Sequence, residues 1–276
     1  MKSLPKRHDG LKPLVGAVLG DMMVFRNGFS GAAAAVLAGC VCLSAAAAEL
    51  SVMSAGAARA AVEPLVREFE KTSGHKVNIS FGTMGLIQEK LGKGERADVL
   101  IVAAEIADAM QQNNVIDGST RQPLAKVGVG VAVAANAAVP DITTPEAFRQ
   151  TLLNAKSIVM INPARGTSGK HLVEVYAKLG VTDQVSAKMQ YGEGGYIVGP
   201  VGEGKVELGL HQISEILPVK GVKLVGPLPE ALQKWTVYTA AITPGSASVA
   251  AARELIAFLS GAPAAAVYAA KGFVNF

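Results

Sequence analysis

Residues Pro163-Ala164-Arg165-Gly166-Thr167-Ser168-Gly169 put a guanidinium, two hydroxyls and two glycines just ahead of a helical stretch. A helix start leaves backbone N–H groups without partners and carries the positive end of the helix dipole. Adding hydroxyls and a planar guanidinium to such a start suits a small anion, and the guanidinium fork matches a carboxylate with two parallel hydrogen bonds. Arg165, Thr167 and Ser168 are therefore candidate ligand contacts. A second segment, Tyr191-Gly192-Glu193-Gly194-Gly195-Tyr196, sets three glycines between two tyrosines. It reads as a strand-to-helix turn lining a cleft, with Gly195 and Tyr196 as contacts. Glu193 and His211, the latter at the end of the strand Leu208–His211, are the groups suited to exchanging a proton, because carboxylates and imidazoles are the usual general acids and bases.

The elements that must position these residues alternate. Leu50-Ser51-Val52-Met53 is a strand that runs into a turn at Ser54-Ala55-Gly56-Ala57. A helix follows, apolar at Ala58, Ala61, Val62, Leu65, Val66 and Phe69, the spacing of one buried face, and Gly74 ends it. Val77, Ile79 and Phe81 alternate as a strand, Gly82-Thr83-Met84-Gly85 turns into a helix, and Ala97–Val102 is a buried strand. Two glycine turns thus open helices at the carboxyl ends of neighbouring strands, and Gly56 and Thr83 join the candidate contacts. Further on, Val127–Ala135 reads as one apolar strand. Thr144-Pro145 starts a helix as N-cap and first residue, Ser157–Ile161 is a strand, and later strands cover Leu208–His211, Val222–Val225 and Val237–Ile242. The alternation predicts an α/β protein with mostly parallel sheets. His75, after Gly74, is expected on the surface, and Trp235 is expected to pack at a hinge.

The first 48 residues read as an export signal. Arg26 precedes an apolar run from Phe29 to Leu43, and Ala46-Ala47-Ala48 offers a cleavage site; Met22 or Met23 would make a more ordinary start. Leu37-Ala38-Gly39-Cys40 offers a second reading, a lipoprotein signal with Cys40 lipidated. Both cysteines, Cys40 and Cys42, lie in this segment, so cleavage after Ala48 leaves no disulfide and no cysteine nucleophile. Of 26 basic and 22 acidic residues, five and two fall within residues 1–48, leaving 21 against 20. No basic stripe with interleaved aromatics remains, which argues against nucleic acid as a partner. No His/Asp/Glu spacing suits a metal and no phosphate-binding G-x-x-x-x-G-K-[ST] loop occurs, so neither metal nor cofactor is expected.

Ser80-Phe81 with its small polar turn and Gly94-Glu95-Arg96-Ala97-Asp98 before a strand resemble the periplasmic molybdate-binding proteins of ABC importers. So do Ile116-Asp117, Thr120-Arg121-Gln122, Gly221–Val225 and the late Tyr268-x-x-x-Gly272-Phe273; the resemblance spans most of residues 50–273. It implies a type II periplasmic binding protein fold, two α/β lobes with a ligand cleft between them, and an importer permease as partner of a monomer. Residues 49–128 plus 231–276 would form lobe one and residues 129–230 lobe two, with crossings near Val127–Val131 and Gly226–Thr236. In that family the first and second turns each offer a serine and a later strand a tyrosine. These positions fall on Ala57, Met84 and Gln212, so three side-chain donors differ. The changes point away from molybdate and toward an organic di- or tricarboxylate. Aconitate isomerases resemble the same family, so a proton-shifting isomerase with His211 and Glu193 as catalytic groups stands beside the solute-binding reading. An inorganic oxyanion is the third.

Overall fold

The computed structural model describes residues 47–276. Residues 1–46 of the expected export signal, Cys40 among them, lie outside the described residues, whereas Ala48, after which cleavage is expected, lies within them. The chain then runs β1 (Glu49–Ala55), α1 (Arg59–Ser73), β2 (Lys76–Gly82), α2 (Met84–Gly92), β3 (Val99–Ala103), α3 (Ala104–Gln112), β4 (Gln122–Val127) and β5 (Val129–Ala134). It continues through α4 (Pro145–Asn154), β6 (Ile158–Ile161), α5 (Thr167–Leu179), α6 (Thr182–Ser186), β7 (Met189–Gly192), α7 (Gly199–Gly202), β8 (Leu208–Gln212) and α8 (Ile213–Ile216). β9 (Val222–Pro227), β10 (Thr236–Ile242), α9 (Val249–Ser260) and α10 (Ala262–Ala270) complete it.

Two five-stranded sheets result, ordered β2-β1-β3-β10-β4 and β7-β6-β8-β5-β9. Each repeats one plan. Three parallel strands are followed by an antiparallel strand that has come from, or is bound for, the other sheet. The inner parallel strands β3 and β6 read as continuous apolar runs because they are buried on both faces, whereas the edge strands β2 and β7 carry polar, exposed residues. Val99–Ala103 is buried at every residue. α1 buries Ala61, Val62, Leu65, Val66 and Phe69, the face its periodicity predicts, and ends on Gly74 in the left-handed conformation. Thr144 caps α4 by accepting from the Ala147 N–H at 3.1 Å.

Three expectations fail locally. The single strand Val127–Ala135 is two, β4 and β5, which belong to different sheets and part at Gly128. Apolar character runs through the break because both strands are buried, so composition does not mark it. The Gln233 side chain occupies the space beside Gly128: it accepts from the Val129 N–H at 2.9 Å and donates to the Val129 carbonyl at 2.8 Å. A Cβ on Gly128 would lie 2.9 Å from Gln233 Nε2. Gln233 thereby ties the segment leading into β10 to the chain leaving β4. His75 is 4% exposed rather than on the surface; its Nδ1 accepts from the Ala48 N–H at 3.0 Å and Nε2 lies 3.2 Å from Glu254 Oε2. Trp235 lies beside the second passage between sheets but is substantially exposed, with Lys126 Nζ 6.0 Å from its ring centroid.

Asp98 joins three parts of the first sheet. Its Oδ2 accepts from the Ser51 N–H and hydroxyl, both at 2.8 Å, and its Oδ1 from the Ser246 hydroxyl at 2.7 Å. Burial pushes this carboxyl up, but the hydrogen bonds from Ser51 and Ser246 outweigh it and hold it below its usual value. A carboxyl so lowered stabilises the fold above its unfolded value near pH 3.9 and loses that contribution as pH falls through the folded value. Asp98→Asn should therefore cost on the order of 1–2 kcal/mol at neutral pH, with the difference from wild type shrinking below about pH 4. Urea melts across that range check this; a pH-independent difference would contradict it.

Candidate functional site

Ligands of open α/β sheets sit outside the carboxyl ends of the parallel strands. Here those ends from the two sheets face one cleft of about 640 Å³, its open mouth included. β1 leads through the turn at Gly56–Ala58 into α1, β2 through Thr83 into α2, and β6 through Gly166 into α5. Three helix starts therefore border one space. Thr83 caps α2 by accepting from the Leu86 N–H at 3.2 Å, whereas the starts of α1 and α5 have no side-chain cap. The first N–H groups of α5 are donors for whatever occupies the cleft, whereas the Arg59 N–H at the start of α1 already donates to the Gly56 carbonyl.

Of the residues singled out from sequence, Gly56, Ala57, Thr83, Met84, Thr167, Ser168, Gly195, Tyr196, His211 and Gln212 line this cleft. Arg165 and Glu193 do not. The Arg165 guanidinium spans 3.3 Å contacts to Glu89 Oε2 on α2 and Glu193 Oε2 after β7, with 41% of its side chain exposed. The neighbouring carboxylates occupy the fork that was expected to hold a ligand. The Arg165 carbonyl also accepts from the Gly85 N–H at 3.2 Å. Arg165 thus closes the mouth of the cleft, and Glu193, also bonded to Asn162 Nδ2 at 3.0 Å, belongs to that closure.

The cleft's own cation is Arg59, at the first residue of α1, with its guanidinium carbon 4.6 Å from the Phe81 ring centroid. A cation at a helix N-terminus opposes the dipole. That misplacement was the readable sign of a role other than helix stability. Glu215, also missed, is the more consequential lining residue. It sits in the one-turn helix α8, four residues after His211 and flanked by Ile213, Ile216 and Leu217, and that i, i+4 spacing was the sign in the sequence.

His211 and Glu215 are buried together, their side chains 3% and 8% exposed, with Nε2 3.2 Å from Oε2. Nε2 also lies 3.2 Å from the Gly195 carbonyl, and Nδ1 lies 3.3 Å from the Ser168 hydroxyl. The Gly195 carbonyl hydrogen-bonds Nε2 and assigns the N–H there, so Nδ1 accepts from Ser168. Gly195 presents its carbonyl from the left-handed conformation, φ 71°, which glycine adopts without strain. Glu215 Oε1 is close to Gly56, where an added Cβ would stand 3.3 Å away. Burial, and then the Glu215 charge, hold the Tyr238 phenol well above its ordinary value, with the Thr167 hydroxyl acting against both. Tyr238 is thus a neutral donor at physiological pH. Gln212 donates to the Thr167 and Thr236 hydroxyls at 3.3 and 3.1 Å. His171 turns away, its Nε2 2.8 Å from the Leu232 carbonyl. Among the described residues, no three His, Cys, Asp or Glu side chains converge as metal ligands. The arrangement can hold an anion on N–H and O–H donors and can move a proton along Ser168, His211 and Glu215.

Residues 50–274 match the family described as bacterial extracellular solute-binding protein. The chain is 29% identical over 225 residues to an aconitate isomerase of Pseudomonas sp, covering 78% of this chain and 84% of that protein. It is 29% identical over 231 residues to the molybdate-binding protein ModA of Escherichia coli K12, covering 82% and 88%. The periplasmic molybdate-binding protein of Azotobacter vinelandii superposes with a TM-score of 0.70 at 21% identity, over 82% of this chain and 99% of that one. The chain belongs to the bacterial extracellular solute-binding protein family, and its fold is the two-lobe type II periplasmic binding protein fold.

The two arginines should separate in binding measurements. Arg59→Ala should weaken an anionic ligand about tenfold or more, the effect of a lost charge-assisted bond. Arg165→Ala should change affinity by less than about fivefold, because its ion pairs are exposed. Calorimetric titration with one anion checks both, and equal losses would put Arg165 on the ligand.

Proposed function

We propose that this protein is a periplasmic solute-binding protein that captures a small organic di- or tricarboxylate between its lobes for an ABC importer. Family membership and the periplasmic molybdate-binding relatives support the location and the importer. The choice of ligand rests on one observation, the Glu215 carboxylate buried inside a cleft otherwise furnished for anions. A fully ionised inorganic oxyanion entering there meets a like charge in a poorly screened space. A carboxylic acid or hydroxy acid has hydrogens and can share one with Glu215. Ala57 and the buried Met84 support the same choice, since neither offers the hydroxyl that the oxyanion-binding resemblance implies at those positions.

A second reading is favoured by the buried Ser168–His211–Glu215 chain and by the likeness to an aconitate isomerase. Allylic isomerisation of a tricarboxylate moves one proton. A base removes it from the methylene carbon, the double bond shifts, and a proton returns at the former vinyl carbon. His211 Nδ1 is the base available here, directly or through the Ser168 hydroxyl. The helix starts, Arg59 and Tyr238 would hold the negative charge that develops on the carboxylates.

Thermal shift with citrate, cis- and trans-aconitate, molybdate and tungstate tests the ligand class. A carboxylate at 100 times its Kd should stabilise the protein by about 2.7 kcal/mol. A molybdate shift as large as that of every carboxylate would overturn the reading. Trans-aconitate in heavy water then distinguishes receptor from isomerase: cis product carrying deuterium marks catalysis, and His211→Gln should slow it by about 10²–10⁴-fold. Binding without exchange leaves a transport receptor.

A further inference from the structure

Within the carboxylate reading, we propose that Glu215 makes the cleft a site for an anion together with one proton, which the His211–Glu215 pair takes up as the ligand enters.

The groups around this pair have limited means of balancing charge. The Ser168 and Thr167 hydroxyls face it from α5, the Gly195 carbonyl from the segment after β7, and Tyr238 from β10. Gly56 faces it from the turn before α1. None of these is a cation. Among the described residues lining the cleft, Arg59 is the one permanent positive charge, and its guanidinium lies over the Phe81 ring. The ligand's negative charge and that of Glu215 therefore share one cleft with one arginine and the helix starts. Adding one proton at His211 turns the pair into an ion pair of zero net charge and removes the repulsion.

The same proton rearranges the donors. With neutral His211, Nδ1 accepts from Ser168, and the Ser168 hydrogen is spent on the imidazole. With His211 protonated, Nδ1 becomes a donor to the Ser168 oxygen. The serine hydrogen is then released toward the cleft, where an anion is the acceptor. Anion and proton each improve the site for the other, which is positive coupling between two ligands. Glu215 consequently acts as a specificity-determining residue, favouring ligands whose binding supports protonation of the pair.

Isothermal titration of wild-type protein with citrate and with trans-aconitate, at about pH 8 where free carboxylates are fully ionised, measures this directly in buffers of different ionisation enthalpy. We expect close to one proton taken up per ligand, and a Kd that rises up to about tenfold per pH unit above neutrality, the limit for one linked proton. Glu215→Gln keeps the shape and removes the charge. It should cut the uptake to less than half and strengthen sulfate or molybdate binding on the order of tenfold. Carboxylate binding with no proton exchange in any buffer overturns this inference while leaving the carboxylate reading in place. Failure of both carboxylates to bind overturns that reading, and the inference with it. Unchanged proton uptake in the folded Glu215→Gln protein, as judged by an unaltered circular dichroism spectrum, overturns the role of Glu215.

Discussion

A buried carboxylate inside a cleft bordered by three helix starts is the constraint around which this protein is arranged. The starts of α1, α2 and α5 converge because the parallel strands of both sheets end at the same cleft. Convergence gives N–H donors and a positive potential without any charged side chain. Glu215 opposes that potential from within. Its place is tenable because His211 is 3.2 Å away and because Tyr238 stays protonated beside it. Ser168, at the start of α5, links the pair to the helix start, so the backbone donors and the titratable groups form one connected site.

Closure uses different chemistry. The Arg165 fork and its backbone carbonyl bridge the mouth to α2, through Glu89 and Gly85. These contacts are exposed to solvent and individually weak. At the opposite end, the two passages between sheets are held together by Gln233 and the Val129 backbone, with Gly128 leaving room for the amide. The Arg165 bridge is made by charges that water screens, and the joint beside Gly128 by amide hydrogen bonds that ionic strength scarcely affects.

Much of this was readable in the residues. The apolar face of α1, the cap at Thr144, the glycine turns and the α/β alternation follow from periodicity and local backbone preference, and they appear as expected. The resemblance added the two-lobe plan. Ten of the twelve residues singled out for the site line the cleft, because strand ends and helix starts are legible and topology brings them together. Long side chains were not legible. Arg165 looked like a ligand group until Glu89, 76 positions away in the chain, and Glu193 claimed it. Arg59 and Glu215 were not singled out at all, because neither a helix-start arginine nor a lone glutamate is by itself marked as facing a cleft. The break at Gly128 was hidden because burial on both sides keeps the composition apolar. His75 was misjudged because Glu254, far along the chain, covers it.

The connectivity also governs the order in which the protein can assemble. The whole second sheet, from β5 to β9, is encoded between β4 and β10 of the first. During synthesis β3 has only β1 beside it until β10 emerges, more than 130 residues later, because β10 pairs with both β3 and β4. The second sheet has all its strands before that point. The earlier-encoded lobe is therefore the later one to be sealed, and its closing step brings together strands across a long loop, which is entropically slow. A chain leaving the ribosome amino end first carries an unsealed first sheet until its carboxyl-terminal strand and helices arrive, which delays compaction until nearly the whole polypeptide is available.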